Sequence, residues 1–180
     1  MLETYKHEGK LAQQKALASD DQLTVYAADN NGAPSAVSIR DALDAHLAKI
    51  KRGDYVALLA YVEETPETEA ALQTIRTIIR DATRCATTVG YGPRFLHSTG
   101  QLHKGGPDSG VFIQITAPDK VDFQVPGEPY TFSVLKDAQA LGDFQSLQSH
   151  GRRAIRVDLG SDVLVGFARL SEIIKELLSS

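Results

Sequence analysis

The chain has 180 residues, 42% of them hydrophobic and 23% charged, the balance of a soluble globular domain large enough for one core. A formal net charge of -4 with no Lys/Arg run argues against nucleic acid, and the longest apolar run, YVALLAYV, is too short to cross a bilayer. The single cysteine, Cys85, excludes an internal disulfide and a cysteine-based zinc site, which fits a reducing cytoplasm and a protein without metal.

Residues 1–22 are polar, open without the apolar core of a signal peptide, and carry a weak helical pattern in GKLAQQKALAS. QLTVYAAD (22–29) reads as a short strand and NNGAPSA (30–36) as a loop. SIRDALDAHLAKIKRG predicts an amphipathic helix with Ser38 as N-cap, Ile39, Leu43, Leu47 and Ile50 as its apolar face, and Gly53 as its stop. DYVALLAYV (54–62) is a nearly continuous apolar run, the mark of a strand covered on both faces. TPETEAALQTIRTIIRDATR then predicts a helix capped by Thr65, with Pro66 at its first position and Leu72, Ile75, Ile78 and Ile79 buried. GVFIQITA (110–117) reads as a strand and YTFSVLKDAQALGDFQSLQSHG as a long helix closed by Gly151, with ALGD as a helix kink and Asp143 as a local cap or ion-pair partner. RRAIRVDLG alternates like a strand, and VLVGFARLSEIIKELLSS ends the chain as an amphipathic helix.

This alternation predicts an α/β fold with a parallel or mostly parallel sheet over residues 36–180. Residues 1–35 fit it poorly and read as an N-terminal arm or linker. Between the second helix and the GVFIQITA strand lies GYGPRFLHSTGQLHKGGPDSG (90–110), with six glycines and two prolines in a long connection of the kind that often carries function. With RFLHST as a strand, Ser98, Thr99 and Gly100 stand at its exit, where open α/β sheets bind ligands. Glycine backbone and hydroxyls suit an anion, and Arg94, His97, His103 and Lys104 add charge for a sugar phosphate. The stretch is neither a P-loop nor a dinucleotide fingerprint. His97 fits a core position as well as a ligand contact, whereas His103 and Lys104, set among glycines, are expected outside the core. Glu63 and Glu64 end a strand, where a carboxylate serves either as a base or as a solvated loop acid. Cys85 reads as an inert buried thiol, and at least one of Arg152, Arg153 and Arg156 needs a partner or an edge.

GDYVALLAYV, GYGPRFLHSTGQLHKGGPDSGVFIQIT, YTFSVLKDAQALGDFQSL and GRRAIRVDL together resemble the C-terminal part of glucose-6-phosphate isomerase, over about residues 35–160. The likeness is strongest to the isomerase half of bifunctional bacterial transaldolase/glucose-6-phosphate isomerases, and RFLHSTGQLHKGGP is its most specific element. The resemblance implies a sugar isomerase (SIS) fold: a flavodoxin-like, doubly wound, five-stranded parallel sheet flanked by helices. Two such domains in the whole enzyme would share a site that interconverts glucose 6-phosphate and fructose 6-phosphate through an enediol, without metal or cofactor. It also implies His103 and Lys104 as catalytic residues, with Arg94, His97, Ser98, Thr99, Gly100, Gln101, Gly105 and Gly106 contacting substrate.

The family's phosphate-binding Ser/Thr loop and base glutamate have no counterpart here, and its C-terminal lysine setting is replaced by VLVGFARL, with Arg169 the nearest basic residue. The expectation is therefore a second SIS domain, cut from a longer chain or encoded apart, that is inactive alone. Its expected partners are a sugar phosphate, upstream SIS and transaldolase domains and a second copy in a homo-oligomer, with neither nucleic acid nor membrane. The alternative is a non-catalytic SIS module that binds a phosphosugar or dimerises.

Overall fold

Four runs in the second part of the chain become adjacent parallel strands: β3 (Tyr55–Tyr61), β4 (Ala86–Tyr91), β5 (Gly110–Thr116) and β6 (Arg153–Asp158). The computed structural model describes residues 1–27 and 38–179. β1 (Ala18–Ser19) and β2 (Thr24–Ala27) add to them antiparallel, giving a six-stranded sheet of order β1-β2-β6-β5-β3-β4. The fold is a doubly wound α/β sheet of mixed direction. Its parallel part has the expected character, but the strand number exceeds the five implied by the resemblance. The two added strands come from the segment expected to be an arm. Leu23 and Val25 are fully buried, so a boundary at residue 35 would cut through the core. The expected loop at residues 30–36 lies outside the described residues.

Alternation along the strands divides the apolar side chains between two layers. Val56, Leu58 and Ala60 of β3, with Val111, Ile113 and Ile115 of β5, face helices α2 (Ile39–Leu47), α3 (Pro66–Thr83) and α6 (Val163–Leu178). Ala57, Leu59 and Tyr61, with Phe112 and Ala154, face α5 (Phe132–Ser149) and Phe95. A strand buried on both sides reads as an unbroken apolar run for this reason. Each fully buried Leu or Ile side chain stabilises the fold by about 1.5–3 kcal/mol.

The helix starts are set locally. Ser38 accepts a hydrogen bond from the Asp41 amide, and Thr65 forms a reciprocal capping box with Thr68, with Pro66 following it. Gly53, at φ 93°, turns the chain into β3 after α2 has already ended at Leu47, so it closes the loop rather than the helix. α1 (Leu2–Glu8) precedes the GKLAQQKALAS segment, whose weak helical pattern is not realised.

The crossovers position the site. β3 leads through α3 to β4 on the sheet's edge, and β5 leads through α5 to β6 on the opposite side. The winding direction therefore reverses between β3 and β5. A crevice at the carboxyl ends of strands is expected at such a point.

Candidate functional site

A cleft of about 650 Å³ opens at that reversal. The segment leaving β3 contributes Glu63 and Thr65, the segment leaving β5 contributes Asp119 to Phe123, and the first turns of α5 and α6 contribute Ser133, Lys136 and Leu164. Glu63 is exposed, and its carboxylate makes no hydrogen bond or ion pair among the described residues. Lys136 is held by Asp119 at 2.8 Å and donates to the Ala117 carbonyl at 2.8 Å, so its charge is already met. The amides at the start of α5 are occupied as well: Ser133 donates to Asp122 Oδ1 and Val134 to Thr131 Oγ1. The Thr131 hydroxyl and the Ser133 and Phe123 amides hold the Asp122 carboxyl below the usual carboxylate range. Glu63, Glu67, Asp119 and Asp122 outnumber Lys120 and Lys136 around the cleft. Val121 and Phe123 on its rim are each 67% exposed, beside exposed Phe132 and Leu164. The cleft thus has a carboxylate free to act, an apolar lip and little uncommitted positive charge.

None of residues 94–106 lines this cleft. The strand expected at RFLHST forms earlier in the chain, as β4, and is followed by a 3-10 turn at Arg94–Leu96 and a short helix, α4 (Thr99–Gly105). Two residues of this connection fix its path. Phe95 packs into the aromatic layer at 5.7 Å from the Tyr61 ring, and Gly92 lies so close to that ring that a Cβ would collide with it. Arg94 remains near the carboxyl ends, ion-paired with Glu64 and 5.8 Å from the Tyr91 ring centroid. His97, Ser98, Thr99 and Gln101 are exposed at the start of α4, whereas Gly100 is buried against the Phe95 carbonyl.

From there α4 runs down the α5 side of the sheet to its amino-terminal edge. Arg152, just before β6, donates to the carbonyls of Lys104 at 2.7 Å and Gly106 at 2.6 Å, with exposed Gly105 between them.

His103 and Lys104 do not occupy a solvent loop. His103 is 4% exposed and packs 4.9 Å from the Phe112 ring, with Tyr55 and Phe95 on its other sides. Burial, helped by the neighbouring Lys104 charge, lowers its imidazole pKa to about 4, so the ring is neutral at pH 7. The Lys104 ammonium points inward and pairs at 2.6 Å with Asp143, whose side chain is 2% exposed. Flanking glycines suggested exposure, but aromatic residues distant in sequence enclose this helix face.

Around Asp143 the α5 layer carries a buried polar cluster. Gln114 Nε2 donates to the Ala140 carbonyl at 3.0 Å and approaches Asp143 at 3.5 Å. The buried Tyr61 hydroxyl lies near Asp143; burial and that neighbouring carboxylate push its phenol well above the usual range. Burial also raises the Asp143 carboxyl despite the pull of Lys104. Asp143 is thus the ion-pair partner that ALGD suggested, and the helix continues through it. Arg152, Arg153 and Arg156 divide as expected: Arg153 grips Asp54 at 2.5 and 3.1 Å, and Arg156 stacks 4.0 Å from the Tyr26 ring centroid. Cys85 is buried, its thiol near the Lys51 carbonyl.

Among the described residues, no helix is long and apolar enough to cross a membrane. No protein-family model matches the chain, and no curated protein matches it. A solved structure that does match is a hypothetical protein, TT0462, from Thermus thermophilus, with a TM-score of 0.65 and 15% sequence identity. The match covers 82% of this chain and 40% of that one, so this chain spans less than half of the similar protein's length. At that identity the likeness establishes the fold: this α/β architecture occurs as part of a longer chain.

Proposed function

We propose that this chain is one SIS-like domain of a sugar-phosphate aldose–ketose isomerase and supplies one wall of a composite active site. The observation that carries the reading is the cleft at the winding reversal between β3 and β5, with its uncommitted Glu63 carboxylate. Aldose–ketose isomerisation needs a carboxylate to move a proton between adjacent carbons; Glu63 is a carboxylate the cleft offers for that step, at a position that does not match the family's own base glutamate. It also needs positive charge or directed donors for the phosphate and for the enediolate oxygen. The cleft offers few, because Lys136 is committed to Asp119 and the α5 amides are capped. Those groups would come from a second domain seated on the apolar lip of Val121, Phe123 and Phe132. A reducing cytoplasmic setting suits the lone cysteine.

The exposed lip also favours a second reading, a non-catalytic phosphosugar-binding or dimerising module. Kinetics with fructose 6-phosphate on the purified chain, combined with 6-phosphogluconate titration, test both. The composite-site reading expects weak but measurable 6-phosphogluconate binding and no turnover beyond background, since a positioned base without its partner groups loses most of its effect. Full turnover by the chain alone would show that the site is complete. No binding of 6-phosphogluconate would remove the phosphosugar assignment.

A further inference from the structure

A second cavity, of about 350 Å³, lies on the α5 side of the sheet, between α5, the ends of β5 and β6, and the N-terminal segment. Arg156 of β6 stands opposite Tyr26 of β2 and stacks on its ring at 4.0 Å. The two other arginines of this segment are ion-paired, Arg152 with Asp108 at 3.5 Å and Arg153 with Asp54 at 2.5 Å. Arg156 has no ion pair among the described residues, and its Nε is buried without a partner. Asp137 and Asp158 act on this guanidinium only from a distance, and a ligand carboxylate in direct contact would offset more of its desolvation cost through charge-assisted hydrogen bonds.

The rest of the lining restricts what such a ligand can be. Asp158 holds one donor on each oxygen, Thr116 Oγ1 at 2.8 Å and the Gly160 amide at 3.0 Å, and keeps lone pairs for a further one. Asp137 is half exposed and lies 3.6 Å from the Lys136 ammonium, which is already bonded to Asp119 and Ala117. Partial desolvation and the neighbouring Asp119 and Asp158 charges raise the Asp137 carboxyl above its usual range. Leu11 and Leu141 supply an apolar wall. One cation and two carboxylates would repel a phosphate dianion, but they complement a molecule that carries both charges. The volume is at the small end for ligand pockets.

We propose that this cavity binds a zwitterionic α-amino acid with an aliphatic side chain. The carboxylate lies on the Arg156 guanidinium, the ammonium between Asp137 and Asp158, and the side chain against Leu11 and Leu141.

Calorimetric titration with L-leucine, 4-methylpentanoate and 3-methylbutylamine tests this, because the last two keep the carbon skeleton but lose one charge each. L-leucine is expected to bind at least about tenfold more tightly than either, since one lost charge-assisted bond removes about that factor. Asp137→Asn, at a half-exposed position where folding is safe, should weaken L-leucine about fivefold or more and leave 4-methylpentanoate unchanged. Equal affinities for the three probes, no heat with L-leucine up to on the order of 10 mM, or no effect of Asp137→Asn on L-leucine would each overturn the proposal.

Discussion

Lys104 reaches inward to Asp143 at 2.6 Å, and this single contact changes what its removal should do. Lys104→Ala would leave a carboxylate with 2% of its side chain exposed and no cation. The expected loss is about 3 kcal/mol, the low end for a broken buried pair because the lysine keeps some solvent. Lys104→Met with Asp143→Leu should recover most of it, since an apolar pair of similar volume removes both desolvation penalties. Urea denaturation decides; a loss below about 0.5 kcal/mol for Lys104→Ala would show the pair to be dispensable.

His103 gives a second prediction, through pH. Its imidazole pKa is lowered to about 4 in the folded chain, and that of His46 to about 3 by burial with Lys49 nearby, against 6.5 for the ordinary side chain. The unfolded chain therefore binds more protons than the folded one between those values. Stability is full above about pH 6.5 and falls as pH drops from there toward 4. His103→Phe keeps the aromatic packing with Phe112 and should flatten part of that decline in thermal melts. An unchanged pH profile would contradict the burial of a neutral ring.

At the scale of elements, legibility follows the apolar pattern. β3, β5, β6, α2, α3 and α6 are readable because their side chains repeat with the period of the face they bury. Ser38 and Thr65 cap as their sequence context predicts. β4 escapes a sequence reading because it lies on the edge: Ala86 and Thr88 are exposed, so ATTVGY shows no buried run. α4 escapes it for another reason. TGQLHKG contains two glycines and has low intrinsic helix preference, so its helicity depends on packing against Phe95, Phe112 and Tyr55. Contacts between residues so far apart in sequence leave no local signature.

The β4–α4 connection can be tested at Gly92, where a Cβ would meet the buried Tyr61 ring. Gly92→Ala is expected to cost about 1–3 kcal/mol through overpacking, whereas Gly105→Ala, with open space at its Cβ position, should be nearly neutral. Chemical denaturation of both variants checks the contrast, and equal midpoints would place the Tyr61 ring elsewhere. Thr65→Ala removes a reciprocal cap and should lose about 1 kcal/mol by the same method.

For the whole molecule, the winding order explains why the richest glycine segment is not where the cleft lies. The chain reverses direction between β3 and β5, so the segments leaving those two strands line the crevice. The connection from β4 to β5 crosses back over β3 and is used for packing along much of its length. Strand and helix patterns reveal the fold class, but the glycine-rich connection they single out does not line the β3–β5 cleft. Glu63 is visible in sequence as a strand-end acid; that it lines the cleft while Glu64 turns to Arg94 needs three dimensions.

Under the proposed function, ligand recognition lies in the β3–β5 cleft rather than at residues 94–106. Amide chemical-shift mapping of the 180-residue chain during titration with 6-phosphogluconate tests it most directly. The largest changes are expected at residues 62–68 and 117–123 and in the first turn of α5, with α4 silent. Changes concentrated at Arg94, His97, Ser98, Thr99 and Gln101, with the cleft undisturbed, would contradict it.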